Sequence, residues 1–157
     1  MSTRTIELSS TIEAPPEAVF RALVEADELV RWFPSRAESD PRPGGSFTYR
    51  FDFGDPEKDH VSEGRYREVV PNEVVSYPWK APQGPTEVEF RLRPANGGTE
   101  LRLLHSGWGE GAEWEQSQEN HRQGWTFFLG NLKAYLEGGT DGRAEAMGLQ
   151  TPAATAG

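Results

Sequence analysis

One β-hairpin constrains this chain more than any other feature. In "TEVEFRLRPANGGTELRLLHSGW", residues 86–108, Val88, Phe90 and Leu92 alternate with Glu87, Glu89, Arg91 and Arg93, Asn96-Gly97-Gly98 turns the chain, and Leu101 and Leu103 resume the alternation. Such a ribbon has one apolar face and one charged face, so it belongs to an antiparallel sheet that is covered on one side only. The cover must come from elsewhere in the chain. Residues from about Ser117 to Glu137 can supply it, with His121, Trp125, Phe128, Leu129, Leu132 and Leu136 at helical spacing and Gly138-Gly139 as the stop. At roughly 1.5 Å per residue that helix is about 30 Å long, enough to cross a sheet.

The rest of the chain can be read around this pair. "TRTIELSSTIEA" gives a first strand, with Ile6 and Leu8 in alternation, a loss of phase at Ser9 and Ser10, and a return at Ile12. "PPEAVFRALVEADELVRWF" then opens with prolines suited to a first helical turn. It sets Val19, Phe20, Leu23 and Val24 on one face and starts a second short helix near Asp27, whose apolar side carries Leu29, Val30, Trp32 and Phe33. After a Pro-Gly-Gly turn, Phe47, Tyr49, Phe51 and Phe53 share one face of a strand. "VSEGRYREVVPNEVVSYPWKAPQGP" reads as two strands joined at Pro71-Asn72, with Pro78 marking an edge or a bulge. The polar segment "DFGDPEKDH" reads as a solvated hairpin loop, and residues 139–157 as a flexible tail.

Composition narrows the function classes. Sixteen basic against twenty-five acidic side chains give a net charge of −9, which repels phosphate backbones and anionic lipid surfaces, so nucleic acid and membranes are not expected partners. With no cysteine there is no disulfide framework, thiol nucleophile or thiolate metal site. No apolar run suits a signal peptide or a bilayer span, which makes the cytoplasm the default location. Aromatic residues make up 11% of a chain that is only 35% hydrophobic, so what is buried must be bulky.

Strand, two short helices, a run of antiparallel strands and one long C-terminal helix is an α+β order. The segments "STIEAPPEAVFRALVEADELVRWF", "RPGGSFTYRF", "EGRYREVVPNEVVSYPW", "GGTELRLLHSGW" and the closing "LKAYL" together resemble the SRPBCC, or START-like, superfamily. Within it the chain is similar to the branch named for the activator of heat-shock protein 90 ATPase. The similarity runs over about residues 3 to 137. It implies a helix-grip fold, in which a curved antiparallel sheet of about six to seven strands wraps around the C-terminal helix and leaves a cavity between them. Residues 1–138 would form that single domain. The fold alone does not assign chemistry.

Candidate cavity residues follow from face and phase. Leu103 and His105 share strand parity with Leu101, and Phe90 faces the same way across the hairpin. His121, Trp125 and Phe128 share the apolar face of the long helix. Phe47, Tyr49 and Phe51 come from the aromatic strand, Tyr77 and Trp79 from the strand before the hairpin, Tyr66 from the strand before that, and Trp32 from the second short helix. Trp108, together with Trp114 in the connecting loop, would close one end. Each has a second reading. The histidines can be hydrogen-bonded core residues, His105 near a sheet edge and His121 at a helix start, and the aromatics can be solid core.

Several chemistries lack their residues. There is no GxSxG elbow, Walker motif, dinucleotide fingerprint or metal-binding histidine spacing, so neither a metal nor another cofactor is expected. Glu63, Arg65 and Tyr66 lie in a strand that should run near the cavity, where a buried acid or base could move protons. The leading expectation is a binding module that holds a small hydrophobic or aromatic molecule between sheet and helix. The alternatives are a cyclase or dehydratase using the same cavity, a co-chaperone acting on heat-shock protein 90, and a homodimeric scaffold that uses the apolar edge "SYPWKAP".

Overall fold

The computed structural model describes residues 5–52 and 60–138. Phe53, most of the "DFGDPEKDH" loop and the tail from residue 139 lie outside the described residues. The first strand, β1 (Ile6–Ile12), is followed by α1 (Pro16–Val24) and α2 (Ala26–Leu29), and then by β2 (Arg36–Ser39), β3 (Ser46–Phe51) and β4 (His60–Arg65). Next come β5 (Glu68–Val70), β6 (Val74–Ala81), β7 (Gly84–Ala95), β8 (Gly98–Ser106) and finally α3 (Ala112–Leu136).

Among the described residues eight strands thus form two antiparallel sheets, one of five in the order β1-β8-β7-β6-β5 and one of three in the order β2-β3-β4. The count exceeds the expected six to seven because β2 is a short polar segment and β5 has only three residues, too short to show alternation. The break also differs from the one expected. The segment 60–81 turns at Tyr66-Arg67 as well as at Pro71-Asn72, and β4 joins the smaller sheet while β5 and β6 join the larger. In β1 no phase is lost at the serines: Ile6, Leu8, Ser10 and Ile12 form its more buried face, opposite exposed Glu7, Ser9 and Thr11. At Pro78 no strand among the described residues pairs on the side away from β7, because β5 begins at Glu68, opposite Ser76, and runs the other way.

The hairpin forms as its alternation dictates. Asn96 and Gly97 both take positive φ in the turn, and Phe90 pairs with Leu103 and Val88 with His105 across the ladder. Thr86, Val88, Phe90, Leu101, Leu103 and His105 are buried, while Arg91, Arg93 and Arg102 point outward and pair with Glu89, Glu100 and Glu7.

Helix α3 lies over the buried face and begins earlier than the sequence pattern shows. Gly111 precedes it with φ of 112°, and Glu113 and Glu115 sit in its first turn, where carboxylates favour the helix dipole. Trp114 is therefore a helix residue and not a loop residue. Its indole lies over the chain at Gly109, where a side chain's Cβ would come within 2.6 Å of the ring. The far end of α3 is tied down by Asn131 Nδ2 donating to the Trp32 carbonyl at 3.0 Å and Lys133 Nζ donating to the Thr11 carbonyl at 2.5 Å. Among the described residues no helix is long and apolar enough to cross a membrane.

Candidate functional site

Helix α2 stops at Leu29, and the following residues make a tight turn in which the Phe33 N–H donates to the Leu29 carbonyl at 2.9 Å. A continued helix would separate neighbouring side chains by about 100°, whereas this turn buries both Trp32 and Phe33 with their rings stacked at 4.9 Å. Trp32 goes to the back, where its indole N–H donates to the Ala22 carbonyl at 2.8 Å. Phe33 goes to the front and meets Trp125 at 5.2 Å, Phe128 at 4.9 Å and Phe51 at 5.1 Å between ring centres.

In front of Phe33 lies a pocket of about 260 Å³, lined by Phe33, Phe51, His60, Trp79, Pro82, Asn120, His121, Gly124, Trp125 and Phe128. Helix α3 supplies one wall, and β3, the start of β4 and the end of β6 supply the other. Of the sequence candidates, Phe51, Trp79, His121, Trp125 and Phe128 stand at this wall. Phe47, Tyr49, Tyr66 and Tyr77 pack together behind it, and the Tyr49 and Tyr66 hydroxyls, 2.6 Å apart, form a chain that continues to Ser39 Oγ, 2.6 Å from Tyr66. Burial raises the pKa of all three tyrosines. Phe90 and Leu103 are sheet core, and Trp32 and Trp108 lie outside the lining. Glu63 and Arg65 face outward.

His105 lies on β8, the second strand of the five-stranded sheet, between the edge strand β1 and the central strand β7, and is fully buried. Its protonation pattern follows from its partners. An indole N–H can only donate, so the 2.9 Å contact from Trp125 Nε1 makes His105 Nδ1 an acceptor and places the proton on Nε2. Nε2–H then donates to Thr86 Oγ1 at 2.7 Å, and that hydroxyl donates to the Trp79 carbonyl at 2.8 Å. The Trp108 indole N–H donates to the His105 carbonyl at 2.8 Å. Both ring nitrogens are thus engaged inside the fold. Burial, with the second imidazole of His121 close by, pushes the His105 pKa down to about 3.

His121 sits in the third turn of α3 and not at its start. Its Nε2 accepts from the Trp79 indole N–H at 3.3 Å, so Nδ1 carries the proton and donates to the Ser117 carbonyl at 2.8 Å. Its ring stands edge-on to His105 at 5.6 Å and to Trp108 at 5.0 Å. His60 completes the group: it opens β4 opposite Phe51 and lies 5.9 Å from Trp79 between ring centres. All three of the chain's histidines therefore gather around one tryptophan cluster. Burial lowers the pKa of His60 and of His121, and their proximity lowers that of His60 further, so both are neutral imidazoles near pH 7. Among the described residues, no three histidines or carboxylates converge as a metal ion would require.

Phe33, His60, Pro82, Asn120 and Gly124 line the pocket without having been among the cavity candidates, although Phe33 was read on the apolar side of the second short helix. His60 carried no clear signal, since Val61 is exposed and Ser62 buried, the reverse of what their side chains suggest, and only the strand alternation seen in the structure turns His60 inward. Asn120 and Gly124 lie one residue before His121 and Trp125 in α3, on the flank of the stripe.

Solved structures share this fold. A Chromobacterium violaceum protein is 30% identical, with a TM-score of 0.73 over 85% of this chain and 97% of its own. A Mesorhizobium loti protein is 26% identical, with a TM-score of 0.73 over 85% of this chain and 96% of its own. The Aha1 dimer from Colwellia psychrerythraea has a subunit 25% identical, with a TM-score of 0.70 over 85% of this chain and 96% of that one. No curated protein matches the sequence. The family model described as "Activator of Hsp90 ATPase homolog 1-like protein" matches residues 13–137. With that match spanning most of its length, the chain belongs to the family of Activator of Hsp90 ATPase homolog 1-like proteins.

Proposed function

We propose that this protein is a binding module which holds a small hydrophobic or aromatic molecule in the pocket between α3 and the sheets. The observation that carries the reading is the pocket itself: about 260 Å³, walled by Phe33, Phe51, Trp79, Trp125 and Phe128, with neutral imidazoles at its polar edge. Its volume is a little under the usual range of roughly 300–1,000 Å³, which suits a molecule of one or two rings. His105, whose nitrogens are both engaged by Trp125 and Thr86, acts in this reading by fixing the wall and not by touching the ligand.

Gly124 provides the test. It lines the pocket from the middle of α3, and a Cβ there would meet nothing within 4 Å. A leucine at this position starts in open space at the pocket wall and takes up pocket volume, and it removes a helix-interior glycine that costs about 1 kcal/mol relative to a good helix former. Toluene added to the full-length protein should shift the indole N–H resonances of Trp79 and Trp125 saturably. Gly124→Leu should abolish that response while melting at the same temperature or higher. A wild-type protein with no saturable shift, or a variant that binds as well, refutes the reading.

Family membership supports a second reading, in which the domain acts on the ATPase of heat-shock protein 90. Stoichiometric amounts of the domain should then raise the ATPase rate of the chaperone from the same cell, and an unchanged rate rejects it.

A further inference from the structure

Most polar atoms at the pocket wall are already committed. The Trp125 indole N–H is held by His105 Nδ1 at 2.9 Å, the Trp79 N–H by His121 Nε2 at 3.3 Å, and the remaining His121 nitrogen by the Ser117 carbonyl at 2.8 Å. Asn120 is exposed at the rim, and its Oδ1 accepts from Gln116 at 2.9 Å. His60 differs. Its ring is half-buried between Phe51 and Trp79, each 5.9 Å away between ring centres, and its nitrogens make no hydrogen bond among the described residues.

We infer that His60 reads the polar atom of the bound molecule, so that the pocket selects a neutral aromatic bearing a hydroxyl over the same ring without one and over an aromatic carboxylate. This rests on the pocket being the binding site. A neutral imidazole has one donor and one acceptor, and a hydroxyl offers the same two capacities, so either can give or take the proton of the shared bond. A carboxylate only accepts, carries a charge into an aromatic wall, and finds neither lysine nor arginine among the described lining residues. The net charge of −9 adds a general repulsion for anions. A ring with no polar group fills the pocket but leaves His60 without a partner from the ligand.

Three probes on the full-length protein separate the possibilities: toluene, p-cresol and benzoate, with dissociation constants taken from the indole N–H shifts of Trp79 and Trp125. Wild type should bind p-cresol about 3- to 10-fold more tightly than toluene, the range a single hydrogen bond supplies, and benzoate more weakly than either. In His60→Phe, which keeps an aromatic ring between Phe51 and Trp79, the p-cresol and toluene constants should converge. If His60→Phe binds neither probe, His60→Ala leaves the pocket open and gives the same comparison. Equal affinities in wild type, a p-cresol preference that survives loss of the imidazole, or benzoate as the tightest probe would each overturn the inference. If wild type binds neither toluene nor p-cresol, the failure belongs to the pocket reading itself.

Discussion

Replacing Trp125 with alanine is expected to lower the unfolding free energy by about 3 to 5 kcal/mol, the cost of emptying a large aromatic site in a packed interior. Trp125 is 3% exposed, and its indole meets Phe33 at 5.2 Å, Phe90 at 5.7 Å and Trp79 at 5.8 Å between ring centres. It is the residue through which α3 grips both the five-stranded sheet and the turn after α2. The alanine variant would join the vacated space to the neighbouring pocket, and it would also leave His105 Nδ1 without its donor. Urea denaturation should show the loss as a lower midpoint, accompanied by a fall of roughly 10 °C in melting temperature. The variant Trp125→Phe separates the two contributions. It keeps most of the ring but removes the N–H, and the unpaired buried nitrogen should still cost about 1 to 3 kcal/mol. A Trp125→Ala loss below about 1 kcal/mol would show that the helix is held from elsewhere.

This tryptophan was legible in the sequence, and so was much of the frame around it, because strand and helix periods report which face a side chain takes. Val88, Phe90, Leu101, Leu103 and His105 share one face, as their alternation requires, and His121, Trp125 and Phe128 turn toward it from α3. Periodicity does not report depth. Phe51 and Tyr49 have the same parity on β3, yet one stands at the pocket and the other behind it, because the difference depends on where Phe33 and the end of β6 lie. Phe33 was read as apolar, but its place at the pocket front was hidden by the early stop of α2, after which helical phase no longer applies. His60 was hidden by the polar residues before it, which read as loop. The partners of His105 were invisible for a further reason: Thr86 and Trp125 lie 19 and 20 residues away, and only the β7–β8 register and the position of α3 bring them to the ring.

Those same partners make stability depend on pH. An unfolded histidine titrates near 6.5, whereas folded His105 holds its neutral form down to about 3. The folded pKa is the lower one, so the unfolded chain binds the extra proton and stability is fully present above about pH 6.5 and lost as pH falls toward 3. Between pH 7.5 and 4.5 this group alone should remove about 2 to 3 kcal/mol, close to 1.4 kcal/mol for each pH unit below 6.5. His60 and His121, whose pKa values are lowered by burial, act in the same direction. A single substitution isolates the main contribution. His105→Phe leaves the Trp125 N–H without an acceptor and removes one hydrogen bond from Thr86, so it should cost about 1 to 3 kcal/mol at pH 7.5. The phenyl ring cannot titrate, so the gap between variant and wild type should narrow steadily on acidification, and the two denaturation midpoints should nearly meet around pH 5. A gap that stays constant from pH 7.5 to 4.5 would mean that the acid sensitivity lies outside the His105 network.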